Sequence, residues 1–145
     1  MLAFPQAKLT TDVYTELPWG FHVPGDRRFY VLKLKKNLYG LSDAGFNWFN
    51  YLSTGLKNRN FIPSKIDPCV FYREDMILIT YVDDCICFYK NKKVFDELIS
   101  SLRNGPEKFD LTDDGNIKNY LGVNIEKTSF DKETNGSKYE VFDMK

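Results

Sequence analysis

At 145 residues the chain is the size of one domain with its own core. A composition of 43% hydrophobic and 28% charged residues excludes a disordered polymer. Twenty basic residues balance twenty acidic ones, which excludes capture of nucleic acid by the whole surface and leaves only local patches.

In chain order, "TDVYTELPWGFHVPG" reads as a short strand followed by a loop, and "RFYVLKL" alternates as a strand does. From Leu41, apolar residues recur at Ala44, Trp48, Leu52 and Leu56, predicting a helix with Ser42 or Asp43 as N-cap. Pro63 and Pro68 punctuate a connector, and "CVFY" begins another strand. "MILITYVDDCICFYK" then reads as two strands joined at Asp83-Asp84, with flanks expected to be deeply buried.

"NKKVFDELISSLRNGP" predicts a second helix, capped by Asn91 and stopped by Gly105-Pro106. Its buried face is Val94, Phe95, Leu98, Ile99 and Leu102. "TDDG" marks a turn, "NYLGVNIEK" a strand, "DKETNGSK" a polar turn and "KYEVF" a last strand. The expected fold class is α+β: an antiparallel sheet with helices on one face.

The single histidine, His22, leaves little basis for a zinc site or for a Ser-His or Cys-His pair. Cys69, Cys85 and Cys87 lack metal-ligand spacing and read as free thiols of a reducing compartment. No apolar run approaches membrane-spanning length, and the N-terminus lacks a signal-peptide core. An intracellular chain, cytoplasmic or nuclear and not secreted, is expected. Two basic runs stand out: Arg27, Arg28, Lys33, Lys35 and Lys36, and then Lys90, Lys92 and Lys93. Such runs are more often solvated faces than phosphate contacts.

The Asp83-Asp84 pair poses the functional question. Asp tolerates turn dihedrals, so a plain tight turn is one reading. Asp113-Asp114-Gly115, in a polar setting, needs nothing more than that. Between apolar strands, however, two carboxylates repel each other and resist desolvation, and a divalent cation relieves both penalties. Hard carboxylate oxygens suit Mg²⁺, which shares its remaining positions with water and phosphates.

Tyr81-Val82-Asp83-Asp84 resembles the YxDD motif of reverse transcriptases, and its surroundings resemble the copia-type LTR retrotransposon branch. Leu34-Lys35-Lys36-Asn37-Leu38-Tyr39-Gly40-Leu41 through Trp48 is similar to the family's "LKKSLYGLKQAPRQW". Asn119-Tyr120-Leu121-Gly122-Val123-Asn124-Ile125 is similar to "YFLGIEI", Leu17 to Phe21 to "QPEGF", and Asp67 to Phe71 to "DPCVY". These matches occur in family order across nearly the whole chain.

The resemblance implies a reverse-transcriptase palm with a ferredoxin-like core, performing RNA-directed DNA polymerisation with two Mg²⁺ ions. It implies Asp83 and Asp84 as catalytic metal ligands. It also implies Phe4, Tyr39 and Gly40 on the nucleotide side, and Leu121 and Gly122 in a primer-gripping hairpin. Partners would be an RNA template, a DNA primer, dNTPs and the remainder of a Pol polyprotein, with no membrane. Lys35, Lys36, Lys90, Lys92 and Lys93 would meet the nucleic-acid backbone. Phe4 would act as an aromatic gate against a ribose 2′-hydroxyl; a core Phe near the terminus is the competing reading.

Two departures matter. Ala3 and Phe4 match the Ala-Phe of a family motif like "DVKTAFLNG", whose Asp, the third carboxylate, lies four residues before that Ala and so would fall two positions upstream of Met1. Ser42-Asp43-Ala44-Gly45-Phe46 stands where the family has Lys-Gln-Ala-Pro-Arg, losing two basic residues. The 145 residues are therefore expected to be a partial domain without fingers, thumb, integrase or RNase H, and inactive by themselves. A non-catalytic nucleic-acid-binding module and an inert retrotransposon relic are the alternatives.

Overall fold

The fold is known from a computed structural model that describes residues 2–115, 119–125 and 138–143. A 3₁₀ turn at Phe4–Gln6 opens the chain. Strand β1 (Tyr14–Thr15) pairs antiparallel with β2 (Leu32–Lys33) in a small outlying ribbon. Helix α1 spans Ala44–Lys57 and helix α2 Lys92–Asn104.

The main sheet is antiparallel and contains β3 (Ile62–Pro63), β4 (Val70–Arg73), β5 (Met76–Tyr81), β6 (Asp84–Tyr89), β7 (Thr112–Gly115) and β10 (Lys138–Asp143). Its spatial order is β3-β4-β5-β6-β10-β7. A separate hairpin joins β8 (Asn119–Tyr120) to β9 (Val123–Asn124). The α+β class expected from the sequence is the one found.

Alternation along the strands divides the sheet into two faces. Phe71, Met76, Leu78, Cys85, Cys87 and Tyr89 share one core with Trp48, Leu52 and Leu56 of α1 and Phe95, Leu98, Ile99 and Leu102 of α2. Thr80, Cys85 and Cys87 are buried on the same side. On the other face Ile62, Tyr72, Ile77 and Phe88 stand in register across four strands and are exposed. The flanks of Asp83-Asp84, expected to be deeply buried, are so on the helix-covered face; on the other face Ile86 is buried while Ile77 and Phe88 are exposed, because both helices lie on a single face.

Other expectations need correction. "RFYVLKL" forms a strand only at Leu32–Lys33, after a 3₁₀ turn at Arg27–Phe29. There Asp26 accepts a hydrogen bond from the backbone N–H of Arg28 at 2.9 Å and bends the chain. Asp43 sits at the N-cap of α1 but makes no side-chain cap bond; the Ser42 hydroxyl donates to it instead at 3.2 Å.

"TDDG" is the edge strand β7, not a turn. Asp113 accepts from the Gly115 N–H at 2.9 Å, and pairing with β10 shifts register there, so a local bend sits inside a strand. "NYLGVNIEK" is broken at Leu121-Gly122, both with positive φ (50° and 79°), which turns one expected strand into the β8–β9 hairpin. The "DKETNGSK" turn lies outside the described residues, apart from Lys138, which opens β10. Asn91, by contrast, caps α2 through Lys93 N–H at 2.9 Å, as the sequence suggests.

Arg59 ties the two helix C-termini together. Its guanidinium donates to the Gly55 carbonyl at 2.6 Å, the Ser101 carbonyl at 2.6 Å and the Glu107 carboxylate at 3.0 Å. The Arg59 and Glu107 side chains are only 8% and 9% exposed. Burial alone would raise the Glu107 pKa. Hydrogen bonds from Asn58 and Arg59 outweigh it and hold the carboxyl below its ordinary value of 4.5. Among the described residues, no helix is long and apolar enough to cross a membrane.

Two predictions follow from this packing. Ala is ordinarily about 1 kcal/mol better than Gly inside a helix. At Gly55, however, an added Cβ would sit 2.5 Å from the Phe109 ring, which is buried against Trp48 and Tyr51. Gly55→Ala is expected to lower stability by about 1–3 kcal/mol in a urea melt, as overpacking does. The depressed Glu107 contributes stability above its unfolded pKa, and this is lost as pH falls through the folded value. Between pH 7 and pH 3 the wild-type urea midpoint should therefore fall further than that of Glu107→Gln.

Candidate active site

The β5–β6 hairpin closes in two residues, Val82 and Asp83, with Tyr81 paired to Asp84 across the ladder. Val82 has φ +52°, whereas Asp83 is not in the left-handed region. A positive φ is unusual for a β-branched residue and costs on the order of 1–3 kcal/mol. The turn is held from behind: the Trp48 indole N–H donates to the Val82 carbonyl at 2.8 Å. Helix α1 therefore sets the position of the turn as well as filling the core.

The Asp83 carboxylate is an acceptor shared by distant segments. Its Oδ1 accepts the Ala3 backbone N–H at 2.7 Å. The Tyr39 hydroxyl lies 2.6 Å from Oδ1 and 2.8 Å from Oδ2. Burial raises the Tyr39 pKa first, and the hydrogen bond to Asp83 adds to it, pushing it up to about 12. Tyr39 also leans on Phe4, with ring centroids 4.3 Å apart. Phe4 in turn packs against the edge of the core, so it is both a core Phe and the aromatic neighbour of Tyr39.

Behind this surface lies a buried amide knot. The Asn37 side chain donates to the Ala7 and Lys8 carbonyls, both at 3.0 Å, and accepts from the Asn47 amide at 3.1 Å. Lys8 and Lys36 form an antiparallel bridge beside it. Ala3 and Ala7 are almost fully buried, and their small side chains let the N-terminal segment lie close to α1. Gly40, at φ +96°, turns the chain just after Tyr39, a backbone that other residues rarely adopt.

Asp84 opens β6, half buried, and stands in register with Asp143 of β10. The Tyr120 hydroxyl is buried without a hydrogen-bond partner among the described residues. Burial raises its pKa, with further contributions from Cys85 and Asp84, so β8 lies near the second carboxylate. Leu121 and Gly122 form the tip of the adjacent hairpin, with Leu121 exposed.

Lys35 and Lys36 are exposed just before the Tyr39 loop. Lys90, Lys92 and Lys93 are also exposed but follow the far end of β6. Six residues of strand put them about 20 Å from the Asp83 turn. The predicted lysines are thus not brought into one patch. Arg27, Arg28 and Lys33 of the first basic run bond locally, to the Leu17 and Pro18 carbonyls, Asp26 and Asp12.

The donor set at the turn is the hard oxygen set a divalent cation prefers. It is also short: among the described residues, no three His, Cys, Asp or Glu side chains form a group that could hold a metal. Sequence reasoning missed Trp48 as the support of the turn, the Asn37–Asn47 knot and the Ala3 amide. An indole N–H in a buried helix face does require a partner, but nothing in the sequence names Val82 as that partner.

Comparison with known proteins adds a family to this geometry. The transposon TNT 1-94 Pol polyprotein of Nicotiana tabacum is 34% identical over 134 residues, covering 88% of this chain and 10% of its own length. The transposon RE1 Pol polyprotein of Arabidopsis thaliana is 32% identical over 129 residues, covering 86% of this chain and 8% of its own length. The Ty1-MR1 Gag-Pol polyprotein of Saccharomyces cerevisiae is 33% identical over 73 residues, covering 47% of this chain and 4% of its own length. The chain thus spans a tenth or less of these relatives. No solved structure matches it. The family described as reverse transcriptase (RNA-dependent DNA polymerase) matches residues 1–141, which bears out the resemblance carried by the motifs. The chain belongs to the reverse transcriptase family.

Proposed function

We propose that the chain is the palm of an RNA-directed DNA polymerase, part of a longer Pol polyprotein, with Asp83 and Asp84 as its cation-holding carboxylates. The observation that carries this reading is the construction of the Asp83 turn. A strained two-residue turn, a backing indole and two donors from distant segments all fix one exposed-side carboxylate. A plain hairpin turn needs none of these.

Asp83 and Asp84 would hold Mg²⁺ together with the triphosphate of an incoming dNTP. The chemistry supplied by bound Mg²⁺ would be activation of the primer 3′-hydroxyl and neutralisation of phosphate charge. The residues of the chain would do the positioning on which phosphoryl transfer depends. Phe4 and Tyr39 would border the nucleotide, with Gly40 allowing close backbone approach. The Leu121-Gly122 tip would meet the primer backbone. Lys35 and Lys36, next to the Tyr39 loop, would steer phosphates toward the turn, while Lys90, Lys92 and Lys93 would touch the duplex at a distance.

With no group of three His, Cys, Asp or Glu side chains able to hold a metal among the described residues, residues 1–145 are expected to bind Mn²⁺ weakly. A paramagnetic NMR titration should broaden amides around Asp83 only at high metal, and Asp83→Asn should remove the effect. Tight binding that is abolished by Asp83→Asn would instead mean that another residue supplies a third donor.

The same 145 residues should not extend a primer on an RNA template. A non-catalytic binding role is the second reading, motivated by the exposed lysines. It predicts salt-sensitive affinity for a primer–template duplex in fluorescence anisotropy, unchanged by Asp83→Asn and reduced by Ala at Lys35 and Lys36. Template-dependent nucleotide incorporation lost on Asp83→Asn would overturn the expectation of inactivity.

A further inference from the structure

The Tyr39 hydroxyl, at 2.6 and 2.8 Å from the two Asp83 oxygens, spans the carboxylate as a shared donor. Oδ1 already accepts the Ala3 N–H at 2.7 Å. A carboxylate offers about four lone-pair positions; the Ala3 N–H and the one Tyr39 O–H, shared between the oxygens, engage two to three of them. Mg²⁺ binds its oxygens at roughly 2.0–2.1 Å. A cation bridging both oxygens would need the space in which the Tyr39 hydroxyl lies. A cation on Oδ2 alone would compete with the same O–H.

We propose that Tyr39 is a gate on Asp83, its hydroxyl occupying the carboxylate until a divalent cation exchanges for it. This rests on the reading of Asp83 as a cation ligand and adds the residue that controls access to it. The exchange forms no covalent bond: Tyr39 keeps its proton and swaps one acceptor for another.

The local geometry lets the gate open without dismantling the site. Tyr39 is 45% exposed, and it borders the Gly40 turn. Its ring leans on Phe4 without being enclosed. The Asp83 turn keeps two other supports when the hydroxyl leaves, the Trp48 bond to Val82 and the Ala3 amide on Oδ1.

The test is Mn²⁺ affinity, measured by calorimetry and by broadening of the Ala3 and Asp83 amides, in wild type, Tyr39→Phe, Tyr39→Leu and Asp83→Asn. Hydrogen bonds to charged groups are strong enough that Tyr39→Phe should bind about tenfold more tightly. Tyr39→Leu should do the same, because the hydroxyl and not the ring is the obstacle. Adding Asp83→Asn to either variant should cancel the gain. Equal or weaker affinity in both Tyr39 variants, with binding still lost on Asp83→Asn, overturns the gate and leaves the carboxylate reading standing. Binding indifferent to Asp83→Asn in every chain overturns both.

Discussion

The site depends on one carboxylate. Asp83 sits in a turn too short to fix its own direction, yet its oxygens accept from Ala3 at the start of the chain and from Tyr39 before α1. Remove that acceptor and three segments lose their common point: the N-terminal 3₁₀ turn, the Tyr39-Gly40 loop and the β5–β6 hairpin. An ionised acceptor strengthens these bonds relative to neutral ones. It also leaves an anion at the rim of an apolar core, whose cost falls when a cation or a strong donor is near.

The strain at Val82 belongs to the same economy. A left-handed β-branched residue persists only where its surroundings over-determine it, and here the Trp48 indole on the Val82 carbonyl and the hydrogen bonds to Asp83 do so together. Trp48 also belongs to the core shared by both helices and the sheet. The position of the candidate catalytic carboxylate is therefore coupled to helix packing, and core changes near Trp48 should reach the site without touching it.

Much of this was legible in the sequence, for identifiable reasons. The apolar-Asp-Asp-apolar pattern located the hairpin, and helical spacing located α1 and α2, because burial on one face writes a period into the chain. Tyr39 and Phe4 entered as neighbours of a nucleotide, through family resemblance. Their contact with each other and the bond from Tyr39 to Asp83 were not readable, since they join residues up to 44 positions apart. Short strands were misread where local polar contacts override alternation: Asp26 bends "RFYVLKL", and Asp113 bonds within β7. The Asn37–Asn47 knot gave no signal, because Asn37 lies in a basic segment that reads as exposed and yet is fully buried.

The role proposed for the carboxylates rests on membership in the reverse transcriptase family, and the geometry around Asp83 suggests how this chain would manage them. The most direct measurement is anomalous diffraction at the manganese edge from crystals of the chain grown with Mn²⁺ and a non-hydrolysable dNTP. The account predicts a manganese peak within ligand distance of Asp83 and Asp84, with the Tyr39 hydroxyl moved off the Asp83 oxygens. A peak elsewhere, or a manganese-free Asp83 still bonded to Tyr39 at saturating metal, would contradict it.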